Sequence, residues 1–259
     1  MEVKPPSVWR RVLRTIFSAV FPQVCEVCGR TLVRGESHVC LGCLAALPRT
    51  MTHRDPDSRM LSRLARVAPV DRCAAWFYYD PGGPFGALIR RAKYDGRPSM
   101  ARDLGAMFAR ELIADTFFDG IDLLVPVPLH WRRRMERGYN QSREIARGVS
   151  DVTGIPVSDA LCALRAHGSQ TRLSGDRRQL NVRGVYALRP PSTSFAGKHI
   201  LLIDDIFTTG ATAESALTAL MASPGASSHS NPNAPILPNP DAPRTVSVLT
   251  LGLTRDHVR

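Results

Sequence analysis

The sequence predicts an α/β protein in which helices cover a mostly parallel sheet, with a small cysteine-rich module ahead of it. Two observations support this fold class. Short apolar segments of strand-like composition alternate along the chain with amphipathic helical segments, which is typical of parallel sheets. Ahead of them, residues 22–48 carry four closely spaced cysteines in a compact unit with almost no room for a hydrophobic core.

The first segment, residues 1–21, has the pattern of an amphipathic helix. An apolar run follows several arginines, as in a signal peptide, but it is short and no small-residue cleavage site follows it. We expect a short helix that docks on the body of the protein; a helix that binds a membrane surface or a partner is the alternative. The apolar positions at helical spacing are Val8, Val12, Leu13, Ile16, Phe17 and Val20.

The cysteine-rich module contains two Cys-x-x-Cys pairs, Cys25/Cys28 and Cys40/Cys43, separated by eleven residues. Four thiolates in two such turns suit tetrahedral Zn²⁺, and a four-cysteine site is closed to substrate, so the ion would be structural. Paired cysteines without a secretory signal favour metal binding over disulfides. We predict a zinc ribbon over residues 22–48 and a cytoplasmic protein. Free thiols, disulfides or an iron–sulfur cluster are the alternatives.

Residues 49–71 are polar and rich in arginine without clear periodicity, so we expect a linker there. The larger domain is predicted for residues 72–255. In chain order it should contain strands at 74–79, 122–127, within 156–165, and at 185–188, 199–203 and 245–251, with helices near 85–94, 99–115, 140–152 and 212–222.

Two segments of this domain have no regular pattern. Residues 130–138 form a very basic loop, and residues 223–243 contain six prolines in 21 residues, which predicts a disordered insert. No run of about 18 apolar residues is present, so no transmembrane helix is expected. The formal net charge of +11 favours anionic ligands such as phosphates, nucleotides or nucleic acid, a solvated basic surface being the alternative.

The main functional signal is the stretch from residue 203 to 212, Ile-Asp-Asp-Ile-Phe-Thr-Thr-Gly-Ala-Thr. Ligands of open parallel sheets bind at the carboxyl ends of the strands, which is where Asp204 and Asp205 fall. The loop after them enters a helix, and its N–H groups and hydroxyls suit a phosphate, whereas the carboxylates suit sugar hydroxyls. The stretch therefore predicts a ribose 5-phosphate site; a capped helix after an acidic strand end is the alternative. The loop residues concerned are Thr208, Thr209, Gly210, Ala211 and Thr212.

This stretch resembles the phosphoribosyl-pyrophosphate signature of type I phosphoribosyltransferases, and the resemblance implies their fold for the parallel sheet. It also implies that Asp204 and Asp205 bind the ribose hydroxyls and that residues 208–212 bind the 5-phosphate. Mg²⁺ would accompany the diphosphate and be held mainly by ligand oxygens. The diphosphate would lie near the strand end at 125–128 and the basic loop, where the candidate contact or flexible-loop residues are Pro128, Arg134, Arg137, Gly138 and Tyr139.

Further segments resemble the ComF family, which includes GntX-type proteins. They are 88–94 (Leu-Ile-Arg-Arg-Ala-Lys-Tyr), 125–129 (Val-Pro-Val-Pro-Leu), 134–141 and 170–181. That family joins an N-terminal cysteine ribbon to a phosphoribosyltransferase domain and is associated with natural competence. The resemblance implies that Gly138 hinges a loop over the site, and Tyr139 would either stack on a base or pack into the sheet.

Two classes of function remain open at this point. The first is an enzyme, a glycosyltransferase of the phosphoribosyltransferase type, in which the acidic pair fixes the ribose while cations stabilise the departing diphosphate. The second is a competence accessory protein without catalysis that binds a nucleotide, single-stranded DNA or competence proteins. The acidic pair favours binding of ribose phosphates in either case.

Overall fold

The structure, a computed structural model, describes residues 23–94, 96–164, 185–189, 194–222 and 239–255. These residues divide into a small unit that ends at Leu47 and a larger unit that begins at Pro48. The predicted N-terminal helix, the 170–181 segment and most of the proline-rich insert lie outside the described residues.

The small unit is built from turns and isolated bridges. Val24 bridges to Thr31 across a tight turn in which Gly29 has a φ of 74°, a conformation that glycine adopts without strain. Helix α1 (Leu41–Ala45) begins after Cys40, whose sulfur accepts a hydrogen bond from the first turn of the helix. The cysteines therefore lie at the two turns that organise this unit.

Glu36 connects the parts of the small unit. Its carboxylate accepts hydrogen bonds from the N–H groups of Val33 and Leu41 at 2.9 and 2.8 Å, and from the Arg30 guanidinium at 3.1 Å. The Val33 N–H is the main cause that lowers the pKa of Glu36 below its ordinary value, followed by the Leu41 N–H. The hydrogen bonds of this one charged side chain thus add stability that the packing of such a small core cannot supply.

The larger unit contains a four-stranded sheet with the order β1-β6-β5-β2, in which all neighbouring strands are parallel, and a separate antiparallel pair, β3-β4. The predicted fold class, a parallel α/β fold flanked by helices, is confirmed. The strands are β1 (Val70–Tyr79), β2 (Leu123–Pro126), β3 (Leu161–Ala163), β4 (Tyr186–Leu188), β5 (His199–Phe207) and β6 (Thr245–Thr254). The helices are α2 (Arg59–Leu64), α3 (Gly86–Tyr94), α4 (Pro98–Ile113), α5 (Trp131–Arg137), α6 (Gln141–Thr153) and α7 (Ala211–Met221), with a 3₁₀ turn at Thr52–Arg54.

The two central strands, β5 and β6, are apolar along most of their length because both faces of the sheet are covered. Every residue of β6 between its two ends is buried, and so are the first six residues of β5. The last of those six is Asp204, so the core continues up to the first carboxyl group of the acidic pair. Helices α4 and α6 pack closely, since a methyl group at Gly148 would lie 1.9 Å from the carbonyl oxygen of Arg102.

Residues 49–71 differ from the linker that the sequence suggested. They contain the 3₁₀ turn and α2, and the side chains of Met60, Leu64 and Ala68 pack into the core of the larger unit. Met60 and Leu64 lie four positions apart on one face of α2, and Ala68 follows after the end of the helix. Arginines at positions 59, 63 and 66 lie among these apolar residues and hid their spacing in the sequence.

The other predicted elements are present, with differences in extent: β1 begins four residues before its predicted start and β6 ends three residues after its predicted end. The predicted helices shift by at most two residues at either end. The basic segment 130–138 is mostly helical rather than a loop, since α5 begins after His130 and ends at Gly138, where φ is 79°. Strand β5 continues through the acidic pair to Phe207, four residues beyond the predicted end. Among the described residues, no helix has the length and apolar character that crossing a membrane requires.

Candidate functional site

The carboxyl edge of the central sheet holds the cavity that contains the acidic pair. Strand β5 brings Asp204 and Asp205 to this edge, and β2 ends beside it at Pro126, which pairs with Ile203. The cavity has a volume of about 310 Å³ and is also bordered by the end of α3, the start of α6 and the loop after β2. Its polar lining residues include Lys93, Arg133, Arg137, Asn140, Ser142 and Thr208.

The Asp204 carboxyl group is buried at the floor of this cavity. Its Oδ1 accepts hydrogen bonds from the Ser142 hydroxyl at 3.0 Å and from the N–H of Asp205 at 2.9 Å. Burial is the main cause that raises the pKa of Asp204 to about 7, and the negative charge of Asp205 adds to it. A ligand that donates hydrogen bonds to this group would favour its ionised form.

The Asp205 carboxylate is more accessible and is neutralised by a cation. Its Oδ2 lies 2.9 Å from Nζ of Lys93, and both side chains keep less than a fifth of their surface exposed, 17% and 18%. Sequence reasoning placed Lys93 only inside a family-like segment and did not identify it as a site residue. No local signal could have done so, because the lysine comes from the last turn of α3 and the carboxylate from β5.

The segment from Arg137 to Gln141 holds the end of α3 in place. The Tyr139 hydroxyl donates a hydrogen bond to the carbonyl oxygen of Ala92, and the Gln141 side-chain amide donates one to that of Lys93 at 3.3 Å. Tyr139 was expected to stack on a base or to pack into the sheet; in the structure its hydroxyl binds the backbone next to Lys93. These two bonds fix the backbone from which the lysine side chain reaches Asp205.

The same segment also positions the loop after β2. The Asn140 side chain donates a hydrogen bond to the carbonyl oxygen of Val127 at 3.0 Å and caps α6 by accepting one from the N–H of Ser142 at 3.2 Å. The Arg137 guanidinium lies 5.0 Å from the centre of the Tyr94 ring and contacts Gln141 at 3.2 Å. The 137–141 segment therefore connects α3, α6 and the β2 loop around one cavity.

The loop between β5 and α7 forms the wall where a phosphate is expected. Gly210 is the N-cap of α7 with a φ of 79°, so the first N–H groups of that helix are directed at the loop. A side chain at this position would be strained and would also meet Nε of Arg63 and the Phe207 ring at 2.8 Å. Of the predicted loop residues, Thr208 and Thr212 line the cavity, whereas Thr209, Gly210 and Ala211 do not.

The arginines that were predicted to contact a diphosphate are divided between two cavities. Arg137 lines the cavity of the acidic pair, whereas Arg134 lines a neighbouring cavity of about 270 Å³. Pro128 borders both, and Gly138 and Tyr139 border neither. The neighbouring cavity is also lined by Arg189 and by Arg143, which forms an ion pair with Asp159 at 2.7 Å.

The four cysteines of the small unit come together as a candidate metal centre. The sulfurs of Cys25, Cys28, Cys40 and Cys43 all lie within 4.8 Å of one another, and the Cys28–Cys40 distance is 3.8 Å. A tetrahedral ion with metal–sulfur bonds of about 2.3 Å requires sulfurs about 3.8 Å apart, so the donor set fits Zn²⁺. Burial acts to raise the pKa of Cys25, but the backbone N–H groups around it, that of Cys40 foremost, lower it overall and favour the thiolate.

Known proteins are similar to this chain over most of its length, although no protein-family model matches it. The DNA utilization protein YhgH of Escherichia coli (strain K12) is 31% identical over 193 residues, which are 73% of this chain and 80% of that protein. Competence protein ComFC of Bacillus subtilis (strain 168) is 24% identical over 205 residues, with the same two coverages. Competence protein F of Haemophilus influenzae is 26% identical over 133 residues, half of this chain and 58% of that protein.

Fold and site together define a class: a parallel α/β protein with a polar cavity at the carboxyl edge of its sheet and a separate four-cysteine unit. Because one relative is 31% identical over most of both chains, this chain belongs to the ComF family. The resemblance indicated by the sequence segments is confirmed.

The raised pKa of Asp204 predicts that this residue lowers stability as the pH rises. Between its ordinary pKa of 3.8 and its folded pKa of about 7, the folded protein keeps a proton that the unfolded chain releases, so stability falls with rising pH across this range. Asp204→Asn should therefore stabilise the protein more at about pH 8 than at about pH 5, as measured by urea unfolding at both values. Asp57→Asn, on an exposed turn, is the control. An equal effect of Asp204→Asn at both pH values would contradict the assignment.

Proposed function

We propose that this protein binds ligands that contain ribose 5-phosphate, with phosphoribosyl pyrophosphate and Mg²⁺ as the principal case. One observation carries the proposal: two adjacent carboxyl groups, a threonine-lined helix N-terminus and several cations all border one cavity. Carboxylates are suited to sugar hydroxyls, and the helix N-terminus is suited to a phosphate. A ribose 5-phosphate unit combines both groups at the spacing of a single sugar.

The ribose would lie over Asp204 and Asp205. Asp204 is held in one orientation by the Ser142 hydroxyl, so its carboxyl group does not have to be ordered when the ligand arrives. The 5-phosphate would lie against the loop from Thr208 to Thr212, with backbone N–H groups as donors. Preorganised acceptors and donors reduce the entropy that binding costs.

The diphosphate would extend towards the opposite wall, where Arg133, Arg137 and His130 line the cavity. Mg²⁺, when bound with the ligand, would supply further positive charge, and its ligands would be mainly diphosphate oxygens. In a phosphoribosyl transfer these cations would stabilise the charge that grows on the departing diphosphate. We therefore favour an enzyme, a glycosyltransferase of the pentosyltransferase type, over a protein that only binds.

The relatives named for DNA utilization and competence support a role in DNA uptake, and we propose that this chain acts there in the cytoplasm. The second candidate function is binding of single-stranded DNA by an accessory protein without catalysis, which could also contact competence proteins. Trp131 and Tyr94 are 58% and 68% exposed, and an arginine lies over each ring at 5.3 and 5.0 Å. Exposed aromatic faces next to cations are the usual platform for unpaired bases.

For the small unit we propose a zinc ribbon with a structural role. The four thiolates would fill all positions of a tetrahedral ion and leave none for a substrate. The hydrogen bonds of Glu36 and the turns described above are too few to keep a unit of this size folded without a metal. Modules this small generally need a structural metal or disulfides for stability.

The ribose site is tested by replacing both carboxyl groups. Asp204→Asn with Asp205→Asn should weaken Mg²⁺-dependent binding of phosphoribosyl pyrophosphate by about 100-fold or more, because two charge-assisted hydrogen bonds are lost. Isothermal titration calorimetry measures the affinity, and Asp57→Asn serves as the exposed control. Unchanged affinity in the double variant would rule out the site. A screen of nucleobases and amines for pyrophosphate release then separates an enzyme from a binding protein.

The DNA-binding candidate predicts that Trp131→Ala weakens binding of single-stranded DNA by about 1–3 kcal/mol, the value of one stacked base. Binding should also weaken steeply with salt because phosphate contacts release counterions. Fluorescence anisotropy with a labelled oligonucleotide measures both effects. Met135→Ala, on the same helix and 77% exposed, is the control for loss of exposed apolar surface. If the wild-type protein does not bind at low salt, this candidate is wrong.

The zinc ribbon predicts about one Zn²⁺ per chain in the purified protein, measured by metal analysis. Cys28→Ser should reduce the zinc content, since it removes one of the four ligands. Cys162→Ser is the matched control, because this cysteine lies outside the cluster and should leave the metal in place. Wild-type protein prepared without chelators that contains well under one equivalent of zinc would contradict the assignment.

A further inference from the structure

We propose that Lys93 is a counter-ion that changes partner when the ligand binds. In the ligand-free protein it pairs with Asp205, and in the complex it would pair with the diphosphate of phosphoribosyl pyrophosphate. This inference rests on the proposed function and names the residue that makes the cavity select phosphoribosyl pyrophosphate over ribose 5-phosphate.

The first step is competition for one carboxylate. Nζ of Lys93 lies 2.9 Å from Oδ2 of Asp205 and so occupies one of the two oxygens that could accept a hydrogen bond from a ribose hydroxyl. A hydroxyl is a neutral donor, whereas the ammonium group makes a charge-assisted contact, which is the stronger of the two. A ribose hydroxyl that binds Oδ2 therefore competes with the ammonium group, and it binds more strongly when the ammonium group moves away.

The second step concerns where the ammonium group can go. Only 18% of the Lys93 side chain is exposed, so solvent offers it incomplete hydration once it leaves Asp205. The adjacent carboxyl group of the strand, that of Asp204, is buried and already bonded to the Ser142 hydroxyl. A partly buried cation without an anion is unfavourable, so the new partner has to come with the ligand.

The third step is that the side chain can move while its backbone stays fixed. The hydrogen bonds from Tyr139 to Ala92 and from Gln141 to the Lys93 carbonyl hold the end of α3. Lysine has a flexible four-carbon chain with three donors, so Nζ can turn from β5 towards the basic wall of the cavity. Arg137, on that wall, is already in contact with Tyr94 and Gln141 and is less able to adjust.

These steps give the cavity a preference between related ligands. Ribose 5-phosphate offers hydroxyls to Asp205 but has no diphosphate to receive the displaced ammonium group. Phosphoribosyl pyrophosphate offers both at once, so one ion pair is exchanged for another. Lys93 is therefore a specificity-determining residue. Its ion pair with Asp205 disfavours ligands that bring a ribose but no diphosphate.

The test compares two ligands in one variant. Lys93→Met keeps an unbranched side chain, one atom shorter than that of lysine, and removes the charge. It should reduce the preference for phosphoribosyl pyrophosphate, measured as the Kd of ribose 5-phosphate divided by that of phosphoribosyl pyrophosphate, by about tenfold, the worth of one charge-assisted contact. The Kd of ribose 5-phosphate should stay the same or fall, because Asp205 no longer has a competing partner. Calorimetric titrations with Mg²⁺ of wild type and variant measure both constants.

Lys198→Met is the matched control, since Lys198 precedes the amino end of β5, at the opposite edge of the sheet, and should change neither constant. Lys93→Arg keeps the positive charge and should retain the preference for phosphoribosyl pyrophosphate, and it replaces the methionine variant if that variant does not fold. A parallel loss of affinity for both ligands in Lys93→Met would overturn this inference alone. If the wild-type protein binds neither ligand, both this inference and the proposed function are wrong.

Discussion

Asp204 lies buried in the carboxyl half of the central strand β5, where its carboxyl group has lost most of its contact with water. An ionised carboxylate in that position is costly, so the pKa rises and the surrounding residues have to compensate. Ser142 supplies a hydroxyl, the next N–H of the chain supplies a second donor, and Lys93 places a positive charge one residue further along. The rest of the cavity is arranged around this constraint.

The support for these groups comes from a segment of five residues rather than from the acidic strand itself. Between Arg137 and Gln141, side chains bond to the end of α3, to the loop after β2 and to the first turn of α6. A displacement of this segment would move Lys93 and Ser142 together, and with them the ionisation of both aspartates. The segment therefore acts on the chemistry of the cavity through the residues that it positions.

The two units of the chain differ in whether their charged and reactive groups are enclosed or open to a ligand. In the small unit the four cysteine sulfurs are close enough to enclose a metal completely, which suits stability. In the larger unit the carboxyl groups remain at an open cavity with cations on the facing wall, which suits a ligand that carries both hydroxyls and phosphates. Such a site is held at a cost in stability, as is usual where a charged group is kept ready for a ligand.

The sequence by itself determined the alternation of strands and helices, the four-cysteine pattern, and the acidic pair followed by a threonine loop. These features are local, because periodicity and motif spacing depend on neighbouring residues. The tertiary structure alone decided that residues 59–68 join the core, that Arg134 lines a neighbouring cavity, and that Lys93 and Ser142 meet the two aspartates. Burial and ion pairing arise between segments far apart in the chain, and no local pattern records which distant side chain will lie within hydrogen-bond distance.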